Sequence, residues 1–312
     1  MTQRHEASTV RPATLAWVRR QLGAGERIVG AEALQGGITA EVRRLTVATP
    51  DGGRRYLVLR GFAGPAEDGP SREAVALTLL AGTDVPAPAL VAVDATAAHC
   101  EQPSLLATWL PGRPVLADRG LVARLPLLAR QLVAIHAVRP AEAERPRPYV
   151  ALSTADTAVR PPGADSAVWA EAVTVVRRPR PPYQGRFLHR DFHPGNVLFD
   201  GPGITGVVDW ATASWGPADL DVAHCAVNLA LLHGPEWGLR FAEAYQEAGG
   251  ALAADPDERR YWLVRDALAC SEELAQIARP WRAAGRPELT TRAVGQRLDA
   301  YLAALLDTPP QR

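Results

Sequence analysis

Three polar residues in the stretch FLHRDFHPGNVLFDGPGITGVVD, residues 187–209, have the types and the spacing to act together. Asp191 follows His189-Arg190, Asn196 comes five residues later, and Asp209 closes a hydrophobic run thirteen residues beyond that. A carboxylate in the first place can orient a hydroxyl and take its proton. An amide oxygen and a second carboxylate are hard oxygen donors of the kind magnesium prefers. Phosphoryl transfer needs this set, because it asks the protein for positioning and charge stabilisation and for little covalent work. The short runs 197–200 and 204–209 read as β-strands on either side of a turn.

His189, Asp191 and His193 also spell H-x-D-x-H, and in a strand their side chains would share one face, as the ligands of a metal hydrolase do. Pro194-Gly195 breaks such a strand, and neither an HExxH nor a second His/Asp cluster accompanies it. In the phosphoryl-transfer reading His189 instead buttresses the loop that carries Asp191.

Elements upstream must supply a site for the phosphates. Residues 11–22 place Leu15, Val18 and Leu22 on one face, the spacing of an amphipathic helix that Gly23 and Gly25 end. Strands are expected at 27–34, 41–48 and 55–61, the last two joined by the turn sequence TPDGG. The turn QGGITAE lies between the first two. Gly36 and Gly37 there would let the backbone approach a phosphate, with Thr39 and its neighbours offering N–H groups. The third strand ends in Arg60. A helix over 71–81 follows, with Ser71 as its expected N-cap and Glu73 in its first turn. The order strand–Arg, helix–Glu, then His-Arg-Asp pairs Arg60 with Glu73. Each taken singly would be an ordinary surface charge and a helix-dipole residue.

Strands at 85–93 and 104–110 complete the first half. Backbone groups of residues 107–110, with Trp109 among them, fall where a purine edge would be read. A helix over 121–138 carries Leu125, Leu128, Leu132 and Ile135 on its apolar face, and His136 near its end reads as packed or capping. Residues 139–186 are rich in proline and arginine, interrupted by one helix near 166–176. Beyond Asp209 the chain reads as mostly helical, with helices at 221–232, 235–248, 256–278 and 288–306. Asp266, Glu272 and Glu273 give the third of these an acidic stripe that could line a cleft for an amine-bearing acceptor.

The composition bounds the reading. The 312 residues are 47% hydrophobic, enough for two lobes with real cores, and the formal net charge is zero, which favours neither nucleic acid nor an anionic membrane as partner. No apolar run approaches the roughly 20 residues of a membrane span, and the N-terminal stretch lacks a signal-peptide core, so a cytoplasmic protein is expected. Three scattered cysteines make neither a disulfide framework nor a CxxC metal site. There is no lysine, so any cation that meets phosphate is arginine, whose planar fork can bind two oxygens at once.

LQGGITAEV (34–42), YLVLR (56–60), SREAVALTLLAG (71–82), VPAPALV (85–91), WLPGRP (109–114), LARQLVAIHAV (128–138), HRDFHPGNVL and VVDWATASWGPADLDVA (207–223) together resemble the aminoglycoside phosphotransferase family of antibiotic kinases. The likeness runs through nearly the whole chain. It implies an α+β, bilobal protein-kinase-like fold: a small antiparallel N-terminal lobe with one key helix over 1–108, and a larger, mostly helical acceptor lobe over 109–312. It also implies ATP or GTP with magnesium, and transfer of the γ-phosphoryl group to a hydroxyl of a small molecule such as an antibiotic or related metabolite. Residue by residue, Asp191 matches the catalytic aspartate, Asn196 and Asp209 the metal ligands, and Glu73 the helix glutamate. Gly36, Gly37, Thr39, Arg60 and Trp109 fall on the nucleotide side, with Arg60 where many members have lysine. Asp221 matches a structural aspartate. A non-catalytic nucleotide-binding protein on the same fold is the alternative that Arg60 raises. The resemblance leaves the acceptor and the oligomeric state open.

Overall fold

The structure is a computed structural model and describes residues 10–34, 40–62, 68–151 and 156–307. The chain divides into two compact units. The first takes residues up to Gly82, Pro86–Pro111 and the short return Val208–Thr212; the second takes the rest. The first unit is thus assembled from three separated stretches of the chain, the last of which carries Asp209.

In the first unit, α1 (Pro12–Arg19) precedes an antiparallel sheet of β1 (Arg27–Ala33), β2 (Ala40–Ala48), β3 (Arg54–Phe62), β4 (Leu90–Asp94) and β5 (Ser104–Thr108), in the order β1-β2-β3-β5-β4. Alternation decides the faces. Leu45, Val47, Leu57, Leu59 and Leu106 pack with Trp17 and Val18 of α1 in one core cluster. Full burial of each such aliphatic side chain contributes about 2 kcal/mol. The residues between them point the other way, and Arg60 belongs to that set, paired with Val42 across the β2–β3 ladder. Glu101 accepts the backbone N–H groups of Ala13 and Thr14, a carboxylate placed at the positive end of α1.

Three expectations in this unit need correction. The second helix, α2 (Gly69–Leu80), starts two residues early, behind Asp68 in the left-handed region, so Ser71 is inside the helix and caps nothing. Pro70 accounts for this, since a proline suits the first turn of a helix, where its missing N–H has no partner to lose. The strand expected from 85 begins only at Leu90, because Pro86 and Pro88 have no N–H to give a ladder. The helix expected over 11–22 is shorter at its C-terminal end and breaks into turns before Gly23.

The second unit contains α3 (Leu121–Ala137), α4 (Ser166–Arg177) and two small antiparallel pairs. The pairs are β6 (Gly185–Leu188) with β9 (Ser214–Pro217), and β7 (Val197–Asp200) with β8 (Gly203–Val207). The strand expected to reach Asp209 ends at Val207, and the pair β6–β9 was not anticipated. At the centre lies α5 (Ala218–His233), apolar nearly all round and buried along almost its whole length. The helices α6 (Pro235–Glu247), α7 (Pro256–Cys270) and α9 (Thr291–Asp307) pack against it. The single helix expected over 256–278 is two, α7 and α8 (Leu274–Ala283). Ser271 ends the first by donating its hydroxyl to the Leu268 carbonyl. The acidic stripe is thereby dissolved: Asp266 is buried in α7, whereas Glu272 and Glu273 lie exposed at the break. Among the described residues no helix is long and apolar enough to cross a membrane.

Candidate active site

The loop that carries Asp191 hangs from the end of β6 and is held from below by α5. Asp221, fully buried in the first turn of α5, accepts the backbone N–H of His189 at 2.7 Å and that of Arg190 at 2.8 Å. His136 of α3 stands 3.2 Å from the same carboxylate and 2.7 Å from the Tyr245 hydroxyl, so it is packed and bonded, as expected. Burial pushes the Asp221 carboxyl up, but His136, Arg190 and His189 outweigh it and hold the group below its ordinary value. Arg190 takes φ +70°, a left-handed conformation that a residue with a side chain keeps only when its surroundings enforce it. The two bonds to Asp221 supply that enforcement.

Asp191 is bound on both carboxylate oxygens. Asn196 Nδ2 donates to its Oδ2 at 2.8 Å and to its backbone carbonyl at 2.9 Å. His224 Nε2, from α5, stands 3.1 Å from Oδ1, and His193 Nε2 3.6 Å from it. The Asp191 N–H points at His189 Nδ1 at 3.2 Å. Burial alone would raise the Asp191 carboxyl; the neighbouring His193, His224 and His189 hold it well below the usual carboxylate range. Its side chain is 36% exposed, so an ionised oxygen acceptor is presented to solvent.

Behind it lies a residue that sequence reasoning did not single out. His224 Nδ1 is 3.0 Å from Asp266 Oδ2, and Asp266 Oδ1 is 3.8 Å from the Arg190 guanidinium. Burial lowers the His224 pKa, but Asp266 and Asp191 on either side raise it to about 10. The spacing of Asp221, His224 and Asn228, three and then four residues apart on an apolar helix, was the available signal.

Arg60, Glu73 and Asp209 meet in the first unit. Arg60 Nε is 3.2 Å from Glu73 Oε2, and Arg60 Nη2 donates to Asp209 Oδ1 at 2.7 Å. Both Arg60 and Glu73 are buried. Burial pushes Glu73 up to about 7, with Arg60 pulling it back and Asp209 adding to the rise. Asp209 sits at φ +68°, which turns its carboxylate out of the line of the preceding strand. Trp109 stands apart from this group, its indole 5.1 Å from the Arg44 guanidinium, which also lies over Tyr56. Gly36, Gly37 and Thr39 lie outside the described residues.

Taken singly, two of these residues carry oxygen donors of the kind a hard cation accepts. Asn196 uses its amide nitrogen on Asp191, which directs Oδ1 away as an acceptor, and Asp209 offers a carboxylate. No cluster of three or more His, Cys, Asp or Glu able to hold a metal occurs among the described residues. Several arginines of the 139–186 segment have local partners. Arg145 lies over Trp215, Arg177 pairs with Asp156, and Arg180 lies over Tyr149 and Tyr183.

Comparison with known proteins gives a consistent picture. The profile of the phosphotransferase enzyme family (APH) matches residues 31–263. A thermostable mutant of aminoglycoside phosphotransferase APH(4)-Ia, solved with AMP-PNP and hygromycin B, is 18% identical. It superposes with a TM-score of 0.63 over 95% of this chain and 100% of its own. Macrolide 2'-phosphotransferase MphH from Brachybacterium faecium is 18% identical, with a TM-score of 0.55 over 96% of this chain and 98% of its own. A type I macrolide 2'-phosphotransferase, also 18% identical, gives 0.57 over 92% and 98%. At these identities the likeness is one of fold. No curated protein sequence matches the chain.

Proposed function

Because this chain belongs to the phosphotransferase enzyme family, we propose that it moves the γ-phosphoryl group of ATP or GTP to a hydroxyl of a small molecule, with Asp191 acting on that hydroxyl. The observation that carries the reading is the Asp191 carboxylate: ionised, partly exposed, and bonded on one oxygen by Asn196 and on the other by His224. The hydroxyl oxygen forms a bond to the γ-phosphorus while the bond to the β–γ bridging oxygen breaks, and the hydroxyl proton leaves towards Asp191. Arg60, fixed by Glu73, offers a guanidinium fork to phosphate oxygens. By the family resemblance Asp209 and Asn196 are the residues that would hold magnesium, and the ion would supply charge neutralisation at the phosphates. Structures of the same fold bind AMP-PNP with hygromycin B in one case and are named for macrolides in others, which supports an antibiotic or a similar polyhydroxylated metabolite as acceptor. Asp266 is committed to His224 and Arg190, so it is not part of an exposed acidic surface for a polycation.

Purified protein incubated with Mg-ATP or Mg-GTP and a panel of antibiotics and metabolite alcohols tests this directly. Phosphorylation of at least one alcohol, abolished by Asp191→Asn with nucleotide binding retained, is the expected result. A protein that binds neither nucleotide and phosphorylates nothing ends the proposal. The Arg60–Asp209 ion pair favours a second reading, a nucleotide-binding protein without turnover, for which Asp191→Asn changes nothing measurable.

A further inference from the structure

We propose that His224, held by Asp266, is a positioning residue that fixes the Asp191 carboxylate for the acceptor; this rests on the phosphotransferase reading above.

The geometry is a line of three side chains in the second unit. Asp266 on α7 faces His224 Nδ1 at 3.0 Å, and His224 Nε2 faces Asp191 Oδ1 at 3.1 Å. A neutral imidazole would turn a lone pair towards one of these carboxylates. Facing two acceptors, the ring is protonated on both nitrogens and donates to both. Its raised pKa agrees with that assignment. Asn228 Nδ2 also approaches Nε2 at 3.2 Å, but it donates to the His224 carbonyl at 2.9 Å, which leaves Asp191 as the acceptor for Nε2. The other charged or titratable groups around the ring are His193, 6.0 Å away between centroids, and Arg190, which meets Asp266. Cys270 of α7 and Tyr301 of α9 also feel the Asp266 charge.

The arrangement does what Asn196 alone does not. One bond, from Asn196 to Oδ2, leaves the carboxylate able to swing about that contact. A second, from a ring anchored in the buried α5, fixes the orientation of both oxygens. Asp266 extends the restraint to the loop itself, because the Arg190 guanidinium that it faces belongs to the residue just before Asp191. Correct placement within a few tenths of an ångström is where such second partners act on rate.

The competing account is a buried ion pair that locks α5 to α7 and has no bearing on Asp191. Four variants, Asp191→Asn among them, and two measurements separate the accounts. His224→Gln keeps an N–H donor able to reach Asp191, His224→Leu has none, and Asp266→Asn removes the charge that orients the ring. With Mg-ATP and water as the acceptor, His224→Leu is expected to lower kcat about 10- to 100-fold with nucleotide affinity unchanged, and His224→Gln to recover most of the loss. Equal losses in His224→Gln and His224→Leu, tracking their melting temperatures, overturn the proposal. The second measurement needs no turnover: side-chain ¹⁵N–¹H spectra of histidine-labelled protein. The Asp191→Asn change is expected to move the His224 Nε2–H resonance and leave Nδ1–H in place, while Asp266→Asn does the reverse. An Nε2–H signal indifferent to Asp191→Asn overturns the proposal even in a protein that proves to have no transferase activity. Failure of the phosphotransferase reading is recognised separately, by the absence of nucleotide binding and turnover in the wild type.

Discussion

The Arg60 guanidinium donates to Asp209 at 2.7 Å, joining residues 149 positions apart within one compact unit. Glu73 holds the other side of the same group at 3.2 Å. Arg60→Ala leaves a buried glutamate without its counter-charge, and breaking such a pair costs about 3 kcal/mol or more. Urea unfolding measures this. The loss is expected to be smaller at pH 6 than at pH 8, because Glu73, pushed up to about 7 by burial, is protonated at the lower pH and asks for no counter-charge. Calorimetric titration with ATP checks the second consequence, a fall in nucleotide affinity of about tenfold or more, with Arg60→Lys falling between.

Asp221 is the support of the loop that carries Asp191. It accepts two backbone N–H groups and faces His136 without solvent contact. Asp221→Asn replaces one acceptor oxygen by a donor that meets a backbone N–H, so about 2–3 kcal/mol of stability is expected to go. Turnover should fall further than stability explains, since Arg190 loses the restraint that keeps it at φ +70° beside Asp191. Thermal melting and kcat measured on the same preparation compare the two.

Gly112 begins the first long stretch of the second unit at φ +98°, and the next residue, Arg113, exchanges backbone hydrogen bonds with Phe199. A Cβ at Gly112 would stand 2.4 Å from Thr205 Oγ1 and 2.8 Å from the Phe199 carbonyl oxygen. Gly112→Ala is therefore expected to destabilise by about 2 kcal/mol or more, from strained backbone and from the forced displacement of the β7–β8 hairpin. A shift in the urea midpoint at unchanged slope is the expected signature.

His224 gives the stability a definite pH dependence. Its folded pKa is about 10 against an ordinary 6.5, so the folded protein binds the proton more tightly than the unfolded chain does. The stabilisation is fully present below pH 6.5 and is lost as pH rises from there through 10. One proton limits the slope to about 1.4 kcal/mol per pH unit. Urea titrations between pH 6 and pH 9.5 should show wild-type stability falling, with a flatter profile in His224→Leu. Parallel profiles refute the assignment of that proton to His224.

Much of this protein was legible in one dimension. The spacing of Asp191, Asn196 and Asp209, the strand–Arg then helix–Glu order, and the alternation in β2 and β3 are local patterns, and local patterns survive without knowledge of the partner. The same holds for the apolar face of α3 and for the helical tail. The family profile and the fold likeness agree with that reading of the fold class.

Tertiary structure decided what distant partners control. Proline at 70, 86 and 88 moved the ends of a helix and a strand, because a missing N–H matters only against a particular ladder or turn. The acidic stripe was a reading of one long helix; the break at Ser271 and the contact with His224 turned Asp266 into an inward-facing counter-charge. His224 itself, one of two histidines in an apolar helix, carries in the sequence only its spacing from Asp221 and Asn228. It acquires its two carboxylate partners only when α5 is packed between the loop carrying Asp191 and the helix carrying Asp266. Sequence alone marked the groups for which a chemistry is proposed; packing determined which of them are charged, which are held still, and by whom.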